Sequence, residues 1–305
     1  MSSVSVVIPC LNDAAYIREA LDSVFGQTLP PEEIIVADGG STDGTADILN
    51  SYRGRLTWFR QEGKGVSAAK NQAVARTRGE YIAFLDADDL WYPEKLERQT
   101  ALLDRCPEYG FCSSDVDFFD ESGVFIHGAI GTEKQPRSGY VFDELFVNNF
   151  ISSATIMLRR FCFDRVGGFD ENIRFAEDTE MWLRVAKEFR LGYIPEVLAA
   201  YRVRRSSRSF QFAEHYRSLG GTFDRFLGKY PDYFKARPGL MRNARYNLYR
   251  RWGYRHFEVG EYRRARGLFL RALRRRPSAG MIWKYLAASL LPPSVLRKLR
   301  KHRGD

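Results

Sequence analysis

Residues 79–89 read Gly79-Glu80-Tyr81-Ile82-Ala83-Phe84-Leu85-Asp86-Ala87-Asp88-Asp89, an apolar run of five followed by three carboxylates in four positions. A run of that kind, bounded by glycine and a polar cluster, reads as a buried strand. Carboxylates this close raise one another's pKa unless a cation or several donors neutralise them. A turn with Asx-type hydrogen bonds accounts for Asp89, which can help start the helix whose first turn holds Pro93-Glu94. It does not account for Asp86 and Asp88. A hard divalent cation with oxygen ligands does, and Mg²⁺ or Mn²⁺ commonly shares such carboxylates with a diphosphate.

Working outward, the first hundred residues alternate short β-branched runs with amphipathic helical patterns, the signature of a parallel sheet covered by helices. Strands are expected at 4–8, 33–37, 56–60 and 81–85. Helices are expected at 14–25, with Ile17, Leu21, Val24 and Phe25 on one face, at 45–52 after Ser41-Thr42-Asp43-Gly44, and at 66–78, ended by Gly79. Each strand then opens into a polar loop at its C-terminal end, where open α/β sheets place ligands. Further on, strands are expected near 111–119, 153–158 and 192–194 and a helix at 178–189. The polar, Gly/Pro-containing stretch 128–138 reads as a mobile loop over the site.

Charge divides the chain more sharply than its net +9 suggests. Residues 1–200 carry 20 basic and 32 acidic side chains, whereas 201–305 carry 27 and 6. An acidic body suits a site that holds a cation, and a strongly basic tail suits phosphates, nucleic acid or an anionic membrane surface. Cys10, Cys106, Cys112 and Cys162 show no paired metal-ligand spacing and read as reduced, mostly buried thiols, and the four histidines are equally scattered. No apolar stretch approaches the roughly 20 residues of a membrane-spanning helix. Met1-Ser2-Ser3 runs straight into a strand without a signal peptide, so a cytoplasmic protein is expected.

The joint order of several motifs resembles the inverting family 2 glycosyltransferases of the GT-A fold. The matching elements are Val4-Ser5-Val6-Val7-Ile8-Pro9, Asp38-Gly39-Gly40-Ser41-Thr42-Asp43-Gly44-Thr45, the stretch 79–89, Gly167-Gly168-Phe169-Asp170 and Glu177-Asp178. They span residues 4 to about 205 in the family's order. The resemblance implies an α/β GT-A domain over 1–205, with a nucleotide-binding half at 1–105 and an acceptor-side half at 106–205. A basic, all-helical extension follows at 206–305.

Roles follow from that resemblance. Asp38 is similar to the aspartate that contacts the nucleoside of a sugar donor, with Pro9 and Leu11 lining the same pocket and Lys70 near the nucleotide. Asp86 and Asp88 match the DxD motif, Asp86 near ribose and metal and Asp88 as principal ligand of a Mn or Mg ion that neutralises the departing diphosphate. Asp178 matches the general base that deprotonates the acceptor hydroxyl, with Glu177 as the adjacent candidate. Acids also favour a helix N-terminus, so both residues have a structural reading as well. Segment 201–209 reads as a gate in which Arg202 or Arg204 meets phosphate oxygens. Asp115 and Asp117 read as a solvated strand face, with the acceptor side as the alternative. Arg184 either braces the site or pairs along a helix face.

Two positions depart from the family pattern. Leu11 stands where an aromatic residue is common and Gly39 where a second aspartate is frequent, which removes a stacking surface and an edge-reading acceptor. UDP-sugars are favoured as donors, with guanosine and thymidine donors open. Processive synthases carry transmembrane helices and Gln-x-x-Arg-Trp. Here the one Arg-Trp is Arg251-Trp252, with Leu248 at the glutamine position, so a single sugar per encounter is expected. The acceptor implied is a glycan or lipid-linked molecule in surface polysaccharide or lipid-linked glycan assembly.

The basic tail has several readings. Gly260, Tyr262, Ala265, Phe269, Ala272 and Pro277, with Tyr249, Trp252, Gly253 and His256, fall at the spacing of one tetratricopeptide unit, or of an ordinary helical hairpin. Met281-Ile282-Trp283, residues 286–291 and the basic run 296–301 resemble a short interfacial anchor, placing the enzyme peripherally at the inner membrane face. Arginines interleaved with Tyr and Trp offer a nucleic-acid reading, the weaker one. A third reading is an interaction protein that has lost catalysis, against which the retained Asp86, Asp88 and Asp178 weigh.

Overall fold

The computed structural model describes residues 2–120, 122–128, 137–204 and 211–291. Contacts divide the chain into two compact units, Met1–Leu145 with Asn149–Ser207 and Phe146–Asn148 with Arg208–Asp305.

The first unit is built on one mixed sheet. Strands β1 (Val4–Cys10), β2 (Glu33–Asp38), β3 (Thr57–Arg60) and β4 (Tyr81–Phe84) are mutually parallel, and the full order is β3-β2-β1-β4-β8-β6-β9-β5. Here β5 is Leu90–Trp91, β6 Tyr109–Asp120, β8 Met157–Arg159 and β9 Arg190–Arg202, while β7 (Gly123–Ile126) pairs with β6. The expected α/β sheet with flanking helices is therefore present. Strand β8 runs antiparallel to both β4 and β6, pairing Met157 with Ala83 on one side and Cys112 on the other. Ala83 and Cys112 are thus level, and three residues on lie Asp86, past the end of β4, and Asp115, still within β6.

Helices α1 (Ile17–Phe25), α2 (Thr45–Ser51), α3 (Val66–Val74), α4 (Lys95–Arg105), α5 (Phe142–Val147), α6 (Arg160–Val166) and α7 (Glu177–Glu188) complete this part of the chain. On α1 the buried residues Ile17, Ala20, Leu21 and Val24 repeat at helical spacing. They join Val4, Val6, Ile8, Ile34 and Val36 from the sheet in one core, each large side chain contributing about 1.5–3 kcal/mol by leaving water.

Several expectations are corrected. Strand β9 extends from 190 to 202 rather than 192–194, because Pro195 and Glu196 interrupt the apolar pattern without ending the strand. Pairing passes from Ser114↔Ile194 to Asp115↔Val197, so the two residues are absorbed in a bulge, where proline is tolerated. Tyr201 and Arg202 therefore belong to a strand and not to a gate, and residues 205–209 of that gate lie outside the described residues, as does 129–136 of the expected loop. Residues 153–155 form a 3-10 turn instead of strand, since Thr155 Oγ1 and N both donate to Ser152 O. Helix α3 stops at Val74 rather than 78, with Thr77 Oγ1 folded back onto Val74 O.

The second unit contains α8 (Phe212–Lys229), α9 (Pro231–Lys235), α10 (Pro238–Glu258), α11 (Tyr262–Arg275) and α12 (Gly280–Ala288). Its core joins Phe257, Ala265, Phe269, Ala272, Leu273 and Ile282. A β-carbon at Gly253 would come within 2.7 Å of the Phe269 ring, so glycine permits the α10–α11 approach. Ile282 is fully buried in this core while Met281 and Trp283 are exposed, so of residues 281–283 the first and the last lie at the surface. No helix among the described residues is long and apolar enough to cross a membrane.

Beneath β5 lies a buried lysine. Lys95 is fully buried, donates to Gln99 Oε1 at 2.6 Å and stands 4.1 Å from the centre of the Trp91 ring. Burial pushes its ammonium down to about 7. The unfolded chain then takes up a proton that the folded chain lacks between about pH 7 and the ordinary lysine pKa, so stability rises with pH across that window and the penalty is complete below it. Denaturant titrations from pH 7 to 9.5 should show the wild type gaining up to about 1.4 kcal/mol per pH unit more than Lys95→Met. Parallel pH profiles would mean that Lys95 stays charged in the fold.

Candidate functional site

The carboxylate cluster sits where β4 ends. Asp89 N donates to Asp86 O at 3.0 Å, closing the turn that the sequence implied. Asp89 is buried, with Oδ1 accepting from Arg202 N at 2.9 Å and Oδ2 without a hydrogen-bond partner among the described residues. Burial, then the neighbouring charges of Asp88 and Asp86, hold its carboxyl well above the ordinary range. Asp86 remains about one-third exposed and Asp88 less so. Burial and then Asp86 also raise Asp88, against the pull of Arg204.

Two cations answer this charge. Lys70 on α3 is buried, and its Nζ lies 3.5 Å from Asp86 Oδ1. Burial alone would drive its proton off, yet Asp86, Glu177 and Asp178 together hold the ammonium above its ordinary pKa. Arg204 forms an ion pair with Asp88 Oδ2, reaches Asp13 Oδ1 at 3.5 Å and lies over the Tyr16 ring at 4.5 Å. Its buried Nε has no partner among the described residues.

The two arginines of the expected gate have separate fates. Arg202 donates from Nε to Asp88 O at 2.8 Å, pairs with Glu19, and lies over Phe119 at 4.4 Å. Its guanidinium is committed to holding the turn, which corrects its reading as a phosphate contact. Only Arg204 faces the carboxylates with donor capacity to spare.

Asp178 stands at the start of α7, with Oδ2 accepting from Ser153 Oγ at 3.0 Å and Oδ1 from Thr179 N at 2.6 Å. Glu177 is buried beside it. The preceding Ala176 has φ 57°, a left-handed conformation that L-residues disfavour, so the helix begins on a strained peptide that aims both acids. Three aromatic rings seat the helix. Trp182 of α7 lies 5.8 Å from Phe84 of β4 and 5.7 Å from Phe169, and Phe84 lies 5.5 Å from Phe169.

The segment before α7 is held from two sides. Asn71, next to Lys70, exchanges hydrogen bonds with Phe169 N and O at 2.8 and 2.9 Å. Arg184, paired with Glu180, donates to Val166 O, Gly167 O and Gly168 O. It braces this segment as well as pairing along its helix.

Asp38 is wholly buried and accepts from Ser41 N and Oγ at 3.0 and 2.5 Å, with Arg60 at 3.6 Å. Its visible work is to hold the 38–41 turn. Pro9 is buried in β1, and Leu11 projects beyond it, 56% exposed.

One acid escaped the sequence reading and two others were placed on the wrong kind of surface. Asp13 joins Asp86 and Asp88 at the mouth of the sheet, where burial, then Asp88 and Asp86, raise it to about 6 despite Leu11 N and Arg204. Its signal was its place in the polar loop after β1. Asp115 and Asp117 are buried rather than on a solvated face. Asp117 accepts from Tyr92 OH at 2.7 Å and Gly128 N at 3.0 Å and pairs with His127 at 2.7 Å.

Among the described residues no three His, Cys, Asp or Glu side chains converge as a complete metal site. Asp86 and Asp88 nonetheless fit a hard divalent ion whose other ligands come from a diphosphate and water. The crowding that raises Asp88, Asp89 and Asp13 is relieved by added positive charge, and Arg204 already occupies Asp88 as an internal counter-ion.

Comparison with known proteins identifies the family and the fold. The model of glycosyl transferase family 2 matches residues 5–167. The Bacillus subtilis chain TuaG, provisionally described as a teichuronic acid biosynthesis glycosyltransferase, is 34% identical over 215 residues, covering 68% of this chain and 81% of its own. Among solved structures, a mannosyltransferase from Pyrobaculum calidifontis in complex with GDP-Man and Mn²⁺ is similar over 96% of this chain and 81% of its own, with TM-score 0.62 and 21% identity. Residues 1–349 of TarS from S. aureus, in complex with UDP-GlcNAc, are similar over 90% and 89%, with TM-score 0.60 and 19% identity. Against the longer TarS chain, this chain spans 49%.

The strain at Ala176 is open to measurement. Ala176→Gly should raise stability in denaturant titrations by about 0.5–1 kcal/mol, since the relief at positive φ exceeds glycine's entropic cost, and Ala176→Val should lower it by more than about 1 kcal/mol. The reverse order would mean that the left-handed start of α7 carries no strain.

Proposed function

The chain belongs to glycosyl transferase family 2, and from that premise we propose that it transfers one sugar from a nucleotide-diphosphate sugar to an acceptor hydroxyl with inversion at the anomeric carbon. The observation that carries this reading is Lys70, whose buried ammonium contacts Asp86 and feels Glu177 and Asp178 as its next partners. One side chain thereby links the acids proposed for the leaving group with the proposed base.

In this reading the donor diphosphate lies against Asp86 and Asp88. A Mn or Mg ion held by these two residues would supply Lewis-acid charge for the departing diphosphate. The unpartnered Nε of Arg204 can donate to a diphosphate oxygen. Asp178, its carboxylate oriented by Ser153 and Thr179 N, accepts the hydroxyl proton as the acceptor oxygen bonds to the anomeric carbon. The bond from that carbon to the diphosphate oxygen breaks on the opposite face, and the nucleoside diphosphate leaves with the electron pair. Glu177, buried beside Asp178, is the second candidate for proton transfer. Asp38, Pro9 and Leu11 are assigned to the nucleoside end, Asp38 by holding the 38–41 turn.

UDP-sugars are favoured, as in the TarS complex with UDP-GlcNAc, and GDP-sugars are the alternative given the complex with GDP-Man. The acceptor proposed is a glycan or lipid-linked molecule in surface polysaccharide or lipid-linked glycan assembly, met at the cytoplasmic face of a membrane. The basic helical unit is read as the part that meets this surface.

A donor panel, nucleotide by sugar with Mg²⁺ and Mn²⁺ and release of nucleoside diphosphate as readout, tests the reading. Asp178→Asn should lower turnover by about 10²–10⁴-fold while leaving donor affinity near wild type. Asp88→Asn, or chelation of the metal, should weaken both. Normal turnover by both variants would remove these residues from the mechanism.

A further inference from the structure

Helix α11 forces a concentration of positive charge onto one surface. Its apolar positions Ala265, Leu268, Phe269, Ala272 and Leu273 are buried, so Arg271, Arg274 and Arg275 face outward at spacings of three and four residues. Together with Tyr249 of α10 they line a pocket of about 340 Å³. The Arg271 guanidinium stands 5.9 Å from the centre of the Tyr249 ring.

Like charges at this spacing repel, and among the described residues none of the three arginines has a carboxylate partner. The acids nearest in sequence are used elsewhere, Glu261 by Arg264 and His256 and Glu258 by Arg255. Planar guanidinium forks converging on an open pocket suit a tetrahedral oxyanion. The same end of the helix pair is also apolar at its surface. Five residues after Arg275, α12 begins with Met281 64% and Trp283 51% exposed. The Trp283 indole N–H is satisfied by Pro277 O at 2.9 Å, so the exposed ring carries no unmet donor. Arginine beside exposed tryptophan and methionine is the composition of a bilayer interface.

We propose that the pocket formed by Tyr249, Arg271, Arg274 and Arg275 binds the phosphate of an anionic lipid headgroup, with Met281 and Trp283 entering the adjacent interfacial layer. This deepens the reading that the helical unit meets a membrane and does not depend on the transfer chemistry.

The test is co-sedimentation of the full chain with phosphatidylcholine vesicles and with equimolar phosphatidylcholine and phosphatidylglycerol vesicles. Binding is expected to the second only, and Arg271→Gln/Arg274→Gln should weaken it about thirtyfold. The charge-matched pair Arg217→Gln/Lys229→Gln on α8 should change it by less than about threefold, and inorganic phosphate should displace the vesicles better than chloride of equal ionic strength. Equal losses from both pairs would reduce the effect to net charge and overturn the pocket. Binding of inorganic phosphate without vesicle binding would make free phosphate the ligand, and pocket-dependent binding of a single-stranded oligonucleotide without vesicle binding would make it nucleic acid. Either result overturns the lipid assignment. No donor sugar enters the assay, so its failure and that of the transferase reading are separable.

Discussion

A buried ammonium is the constraint on which the site depends. Lys70 is 2% exposed, and a lone cation so placed would cost several kcal/mol in lost hydration. It is tolerable because Asp86, Glu177 and Asp178 surround it, and they in turn can approach one another because it is there. The next residue on α3 extends the coupling, since Asn71 clamps both backbone groups of Phe169. Two consecutive side chains therefore link the end of β4 to the segment that leads into α7. The ring contacts among Phe84, Phe169 and Trp182 add an apolar fastening over the same span. Electrostatics set which groups meet, and packing sets how rigidly they are held.

The other side of the cluster is arranged differently. Arg202 and Arg204 are two residues apart, yet only the first is built into the sheet. Its backbone N–H reaches Asp89 and its guanidinium reaches the carbonyl of Asp88. Arg204, just past the end of β9, reaches the Asp88 carboxylate and keeps an Nε that has no partner among the described residues. The first arginine fixes the position of the turn, and the second balances its charge in a way that an incoming cation or diphosphate can replace.

The parts of this GT-A fold that were legible in the sequence are those in which one short segment carries the whole signal. The apolar run before Asp86 announces a buried strand, and helical spacing on α1 announces its packed face. The failures have physical causes. Proline and glutamate at 195–196 look like the end of a strand, and only the pairing of Ser114 and Asp115 with the residues on either side reveals a bulge. Asp115 and Asp117 alternate with apolar neighbours as a solvated face would, but Tyr92, His127 and Gly128 close over Asp117 from distant parts of the chain. Asp13 reads as an ordinary loop acid because nothing local records that β1 and β4 end side by side. Charge and motif order were local facts; enclosure was not.

The departures at positions 11 and 39 are one feature rather than two. A β-carbon built on Gly39 would come within 3.3 Å of both the Leu11 β-carbon and Cys10 O. Neither the Leu11 β-carbon, which the backbone fixes, nor the Cys10 carbonyl can give way without a shift of the chain. A carboxylate at 39 would also lose solvation against the Leu11 side chain, so the sequence that keeps Leu11 is best served by glycine. Asp38 turns inward and takes hydrogen bonds from Ser41, so the exposed side chain at this end is that of Leu11. On the transferase reading, a nucleoside base placed at this end would meet the exposed apolar side chain of Leu11 rather than a carboxylate.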